Sequence, residues 1–365
     1  MPCSDSAIAY LRLMLARGVG PRVGRQLISA FGSVEALWRT PAAGLEQCDG
    51  VSHRLATSLR NIDHKAVEAV IRSCDNSGIS LVCPEDESYP RRLLACDDAP
   101  LMLFVQGDTS VLNNPYMLSV VGARKASREG RVIARRWSRY CSERGVTIVS
   151  GMAYGIDAAA HGGALEGDAG TVAVLGSGLK AVTGESQQRQ LKAIAGHGCV
   201  ISQYLPDVEA RPEQFPQRNR VIAGLSQATL VVEATIKSGS MITAGQAAGY
   251  GREVFAVPGS VLNDAHAGCH QLIRDGAILA GSAGELLQHL GWMQKRSGVH
   301  AVYTPANEEE AKIMHALQQE IMHLDALSEA CGLTVPQLSP SLLALELQGV
   351  IERLPGSRYT LGGKN

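Results

Sequence analysis

The chain has 365 residues, of which 45% are hydrophobic and 19% charged, with a formal net charge of −1. That length suits two or three domains with sizeable buried cores and excludes wholesale disorder. The near-neutral balance excludes a polycation, so a nucleic-acid site must be a local basic patch; the 4% aromatic content limits how many bases side chains can stack.

The first segment runs to about residue 80. Residues 7–38, "AIAYLRLMLARGVGPRVGRQLISAFGSVEALW", have helical apolar spacing broken by Gly18-Val19-Gly20-Pro21. Two readings fit this turn. In a helix–hairpin–helix it offers backbone N–H groups to a phosphate; in a small helical bundle the glycines serve the turn alone. Residues 45–59 look like a second, weaker copy. Asp5 and Arg12 interrupt the first apolar segment, which a secretory signal would not tolerate, and no run of about 18 apolar residues follows. The expectation is a soluble, cytoplasmic protein with no membrane partner.

From about 85 to 293, strand-like and helix-like runs alternate. Strand candidates are residues 118–122, 146–151, 171–176, 199–202, 229–234, 253–259 and 277–280. Most are short and apolar throughout, as strands covered on both faces are. With helices between them, the expected fold is α/β, a doubly wound and mostly parallel sheet. Ligands of such sheets bind beyond the strands' carboxyl ends at a switch point, which directs attention to the loops after Val121, Val149, Leu175 and Val232.

Beyond "VYTPANEEE", read as a linker, helices are predicted over 308–320, 325–331 and 334–347, then a hairpin around Pro355-Gly356-Ser357. Three helices and a hairpin make a winged helix. Its middle helix carries Asp325 and Glu329, and 334–347 has no Lys or Arg, which favours a protein-contact or vestigial role over DNA binding. The nine cysteines are odd in number and contain no CxxC pair, so neither a disulfide framework nor a zinc site is expected, and no other metal site is predicted.

The loops carry the chemistry. "VVGARKAS" ends a strand at Gly122 and supplies Arg124, Lys125 and Ser127 before a helix, where free N–H groups and the helix dipole favour an anion. On that helix Arg128, Arg131, Arg135 and Arg139 share a face, the usual sign of a solvated stripe. In "SGMAYGIDAAAHGGAL", Gly151 follows a strand, and Asp157 and His161 lie four apart. That pair is either acid–base machinery or a backbone-orienting Asp with a packed His. "VLGSGLK" has Gly176 and Gly178 but lacks the third glycine of a dinucleotide fingerprint, and Lys180 just past it is either a phosphate ligand or a surface lysine. Arg218, Asn219 and Arg220 open an apolar helix, and Lys237, Ser238, Gly239 and Ser240 form another strand-to-helix turn, a ready anion nest. Glu233 stands at a strand end, where it serves chemistry or caps a turn. Four such loops on neighbouring strand ends would line one electropositive groove. No nucleophile or catalytic constellation is found, and no cofactor is expected.

The strings "VVGARKAS", "SGMAYGIDAAAHGGAL", "AVLGSGL", "FPQRNRVIAGLS", "VVEATIKSGSMITA" and "VFAVPG", in this order over most of 85–293, resemble the DprA/Smf DNA-processing proteins of bacteria. The resemblance implies an extended Rossmann-like domain over 85–293. It would be flanked by an N-terminal helical domain of sterile-alpha-motif or helix–hairpin–helix type (1–80) and a winged-helix-like domain (305–365). It implies a single-stranded DNA-binding protein, not an enzyme, that protects incoming DNA in natural transformation, loads the RecA recombinase and acts as a homodimer. By motif, Arg124 matches a backbone-contacting arginine, Ser238–Ser240 the family's SGS turn, and Arg218–Arg220 its RNR. One stretch departs: where family members carry an aromatic-Pro pair and a lysine, this chain has "KAVTGESQQ", with Thr183-Gly184-Glu185 at that place. Lys180 or Arg189 would have to replace the charge, and the expectation is weaker or more salt-sensitive binding. The competing reading is a nucleoside-monophosphate phosphoribohydrolase of related fold, whose PGGxGTxxE loop this chain lacks.

Overall fold

The computed structural model describes residues 4–48, 51–292, 305, 307–319, 321–347, 350–354 and 356–361. They fall into two compact units, divided between residues 294 and 295. Among the described residues no helix is long and apolar enough to cross a membrane.

The first unit opens with six helices: α1 (Asp5–Leu15), α2 (Pro21–Phe31), α3 (Val34–Arg39), α4 (Ala42–Glu46), α5 (His53–Arg60) and α6 (His64–Asn76). Side chains of Ser4, Ser33, Ser52 and Asp63 cap α1, α3, α5 and α6, and Pro21 starts α2 where its missing N–H costs nothing. The glycine turn before α2 uses a positive φ of 87° at Gly18. A Cβ on Gly24 would lie 2.5 Å from Leu101 Cδ1, so α2 seats directly on that segment. Arg25 donates to the carbonyls of Leu94 and Cys96 at 3.0 and 2.9 Å. Leu11, Leu13, Leu37 and Leu59 bury in one cluster with Phe104, Leu175 and Val200, so these helices share an apolar core with the sheet.

The chain continues through β1 (Ser80–Val82), α7 (Arg91–Leu94), β2 (Leu103–Gly107), β3 (Met117–Val121), α8 (Arg128–Ser142), β4 (Thr147–Ser150), α9 (Ile156–Ala164), β5 (Thr171–Leu175), α10 (Glu185–Ala195) and β6 (Gly198–Ser202). Then come α11 (Gln214–Leu225), β7 (Ala228–Val231), α12 (Gly239–Gly249), β8 (Glu253–Ala256), α13 (Ala267–Arg274), β9 (Ile278–Leu279) and α14 (Ala283–His289). The nine strands form one sheet in the order β1-β2-β6-β5-β4-β3-β7-β8-β9. From β6 to β9 neighbours are parallel, with Ser119 opposite both Val149 and Thr229. The chain steps outward from β3 to β6, then returns to the other side of β3 for β7 to β9. The switch point therefore lies between β3 and β7, and the loop after each opens there.

All seven expected strands are present. The sequence reading missed β1 and β2, which pair antiparallel at the edge. Strand β1 spans three residues of mixed burial, and the apolar part of β2 stops at Val105, too short a run for periodicity to tell a strand from a buried helix. Helix α9 is rich in small residues because α8 presses on it: a Cβ on Gly163 would lie 2.0 Å from the Arg135 carbonyl oxygen. On the exposed side of α8, Arg135 pairs with Glu166, and Arg139 with Glu143 and Glu166, so part of the stripe is a surface ion-pair network.

The second unit holds α15 (Glu308–Gln319), β10 (Met322–His323), α16 (Leu324–Cys331), α17 (Val335–Leu347), β11 (Ile351–Leu354) and β12 (Arg358–Leu361). The three strands pair antiparallel in the order β10-β12-β11, beside an apolar core of Ile313, Leu317, Leu327, Leu338 and Leu345. This is the winged-helix arrangement expected.

Candidate nucleic-acid interface

Beyond the carboxyl ends of β3 and β7 lies a cavity of about 410 Å³. It brings together Gly122, Arg124 and Lys125 from the loop after β3, Arg218 and Asn219 from α11, and Ser238, Gly239 and Ser240 from the start of α12. A second cavity, of about 250 Å³, adjoins it and shares Arg124, Ala153, Phe215 and Arg218. Its wall includes Gly151, Tyr154, Gly176 and the loop at 181–183. Arg124 sits where the two meet, its guanidinium 4.9 Å from the Phe215 ring centroid, a cation–π contact.

The local fold makes this groove from short-range necessities. Gly122 is squeezed between Ile156 and the Glu233 carbonyl, where a Cβ would lie 2.6 Å from Ile156 Cγ1 and 2.9 Å from that oxygen. Gly155 takes a φ of 83°, and a Cβ there would meet the carbonyl oxygens of Ala123 and Arg124 at 2.2 and 2.5 Å. The loop bearing Arg124 is thereby clamped between β7 and the start of α9.

Ser127 requires a correction. The α8 N-terminus already holds an anion: the Glu233 carboxylate accepts the Ser127 N–H at 3.1 Å and its hydroxyl at 2.6 Å, while Ser127 Oγ caps Gly130 N at 2.9 Å. Glu233 is 1% exposed. The dipole and donors that sequence reading offered to a phosphate are answered internally, so Ser127 is a structural cap and Glu233 its partner.

Arg218 requires another. It is 5% exposed and donates to the carbonyls of Gly151 and Val174, the ends of β4 and β5, and to Asn219 Oδ1 at 3.1 Å. Asn219 Nδ2 in turn donates to Gly239 O at 3.2 Å. This chain of bonds is a strut from two strand ends to the Ser238–Ser240 turn. Burial opposes the charge on Arg218, and the neighbouring Asp157 supports it. Gly151 and Gly176 act as spacers: Cβ atoms there would lie 2.2 Å from Arg218 Nη1 and 3.0 Å from the Phe215 ring.

Four more expected ligands lie outside both cavities. Arg220 faces away from the groove and pairs with Asp98 at 3.2 Å, and Asp98 also accepts the Tyr250 hydroxyl at 2.7 Å. Lys180 pairs with Asp207 at 2.9 Å and donates to Ser73 Oγ at 2.8 Å, lining neither cavity. Gly178 packs against backbone, where a Cβ would meet the carbonyls of Leu205 and Pro206 at 2.1 and 2.2 Å. Lys237 is exposed on the turn before α12 without lining either cavity. In that turn Ser238 caps α12, accepting Ser240 N at 3.4 Å, with the two hydroxyls 2.7 Å apart.

Asp157 and His161 resolve toward the positioning reading. Asp157 accepts the N–H groups of Gly151 and Ala153 at 3.1 and 3.4 Å, and burial raises its pKa against the pull of Arg218. His161 is fully buried and bonds Thr171 Oγ1 through Nδ1 at 2.8 Å. That hydroxyl donates to Ile148 O, so Nδ1 carries the proton. Burial, with Arg218 nearby, lowers the His161 pKa to about 3, leaving the ring neutral. Both cavity carboxylates are thus spent on backbone, and the groove's free chemistry is cationic and hydrogen-bond donating. Two residues escaped the sequence reading: Phe215, visible only as the first letter of "FPQRNR", and Tyr154, whose 65% exposure no pattern announces.

The chain matches the family model for DNA recombination-mediator protein A over residues 80–291 and that for the DprA winged helix domain over 301–357. Protein Smf of Escherichia coli is 35% identical over 361 residues, covering 96% of this chain and 95% of the relative. The X-ray structure of DNA processing protein A from Streptococcus pneumoniae superposes with a TM-score of 0.70 at 29% identity, covering 78% of this chain and 98% of that one. A structure reporting the single-stranded DNA binding mode of DNA processing protein A from Helicobacter pylori gives 0.53 at 26% identity, covering 59% and 97%.

Proposed function

The chain belongs to the DprA/Smf family of DNA-processing proteins, and from that premise we propose that it binds single-stranded DNA, shields incoming strands and loads the RecA recombinase onto them. It acts through binding and not catalysis, as a cytoplasmic homodimer. The observation that carries this reading is the open groove at the β3/β7 switch point. There Arg124 and Lys125 stand exposed beside the donor-rich Ser238–Ser240 turn, while every carboxylate lining the cavity is engaged by backbone or Ser127. A phosphate chain is neutralised by such cations and helix N-termini without sequence preference. The Helicobacter pylori relative's single-stranded DNA binding supports the same ligand class.

The test is a gel shift of matched single- and double-stranded oligonucleotides, with and without RecA. The proposal expects retention of the single strand and a ternary species when RecA is added. Equal retention of both DNAs contradicts the ligand assignment, and a single-strand complex that RecA does not join contradicts the loading role.

A further inference from the structure

The outer face of α8 carries an arginine stripe that lies outside both cavities. Arg128, Arg131, Arg135, Arg136 and Arg139 all stand exposed. Toward the end of the helix Glu166 takes up Arg135, and Glu143 and Glu166 take up Arg139. Arg128 and Arg136 enter none of the ion pairs formed by the described residues of α8. Arg131 donates one guanidinium N–H to the Ala126 carbonyl at 2.7 Å and meets no carboxylate there. The helix itself gains nothing from this arrangement. Arg128 begins α8, the end whose dipole disfavours a cation and favours the acid beside it, Glu129. Spacings of three and four residues set Arg128 beside Arg131 and Arg131 beside Arg135, where like charges repel. A stripe kept against local preference marks a surface whose partner supplies the opposite charge.

We propose that the α8 stripe is a second phosphate track, along which a single strand leaving the groove continues. This rests on the single-stranded DNA reading and deepens it by setting the path and length of the bound strand. Continuity with the groove points to a DNA backbone as the partner. Arg124 and Lys125 line the groove, and Arg128 follows three residues after Lys125 with no acid between them. The nearest carboxylate, on Glu233, is buried beneath Ser127 and bonded to it. Exposed cations therefore pass from groove to helix without a break. At 1.5 Å of rise per residue, Arg128 to Arg139 spans about 16 Å. That is room for roughly three to five nucleotides of a single strand. Arg135 and Arg139 join the track by exchanging exposed ion pairs, which hold weakly, for phosphates. Contacts of this kind position a strand without reading its sequence.

The experiment compares wild type, Arg128→Ala/Arg136→Ala and Arg128→Lys/Arg136→Lys on single strands of increasing length. Binding is read by fluorescence anisotropy over a salt series. A control, Lys65→Ala/Arg91→Ala, makes the same change in net charge at exposed residues of α6 and α7. Wild-type affinity is expected to rise with strand length until the stripe is filled, and that of the alanine pair to level off several nucleotides sooner. On the longest strand the alanine pair flattens the slope of log K against log salt by about 1.4, or about sevenfold in relative affinity over a fourfold rise in salt. The lysine pair and the control keep the wild-type slope. The alanine pair melts no lower than wild type, because it removes repulsion and breaks no ion pair. The inference is overturned if the alanine pair matches wild type in slope and length dependence, the result expected of a stripe that serves solvation or an acidic protein surface. It is also overturned if the control loses as much, since net charge alone then accounts for the effect. Wild type failing to bind any single strand brings down the functional reading itself, a result distinct from both.

Discussion

Arg124→Ala removes the cation that both cavities share. Its guanidinium rests on Phe215, a contact worth about 0.5–1 kcal/mol at an exposed site, so the substitution barely moves the melting temperature. The effect on binding is larger. A hydrogen bond to a charged group contributes about 1.5–3 kcal/mol, which predicts single-stranded DNA binding roughly 10- to 150-fold weaker at low salt. Losing one phosphate contact also flattens the slope of log K against log salt by about 0.7. Over a fourfold rise in salt that amounts to about 2.6-fold, so the gap between mutant and wild type narrows as salt increases. Fluorescence anisotropy of a labelled single strand at four or five salt concentrations gives both numbers. Unchanged affinity refutes the assignment. Weaker binding with parallel salt slopes refutes the mechanism, since it assigns the loss to structure and not to charge.

The residues that point away from the groove behave differently. Arg220→Ala breaks a largely buried pair with Asp98 and lowers stability by about 1–3 kcal/mol in denaturant titration, with the DNA salt slope unmoved. Lys180→Ala removes an exposed pair and changes stability by less than about 1 kcal/mol, again leaving the salt slope alone. His161 is neutral in the folded state with its pKa lowered to about 3, against about 6.5 unfolded. Its contribution to stability is therefore whole above pH 6.5 and drains away as pH falls toward 3. Asp157, raised by burial, works in the opposite sense, so the measurement is the difference between wild type and His161→Gln in thermal unfolding across that window: wild type loses more stability than the variant on acidification. Equal losses would show that His161 does not carry this linkage. Incubation with nucleoside monophosphates is expected to release no free base, because Asp157 and Glu233 hold backbone and Ser127; base detected by chromatography would revive the hydrolase reading.

Much of this was legible in the chain. Seven strands, their parallel course and the loops worth inspecting follow from short apolar runs alternating with helices. The sequence could not say which way a side chain points from a helix. Arg218 and Arg220 lie two apart on α11, and residues at that spacing do not share a face. One therefore runs inward to the ends of β4 and β5 while the other meets Asp98, although the motif presents them as a pair. Ser127 misled for a related reason: its helix start does attract an anion, but one supplied from 106 residues away by Glu233. Tyr154 and Phe215 lie far apart in sequence and only the folded sheet brings them to one cavity, which no local pattern records. The antiparallel edge was missed because β1 has mixed burial and β2 is apolar only over 103–105 before Gln106 and Gly107, so neither reads as one of the alternating apolar runs.

The central claim is that the groove at the β3/β7 switch point holds a flexible phosphate chain. Equilibrium binding to a single strand and to a duplex of the same length, at one near-physiological salt concentration, tests it most directly. The account predicts tighter binding to the single strand. Equal affinity for both, or preference for the duplex, contradicts it.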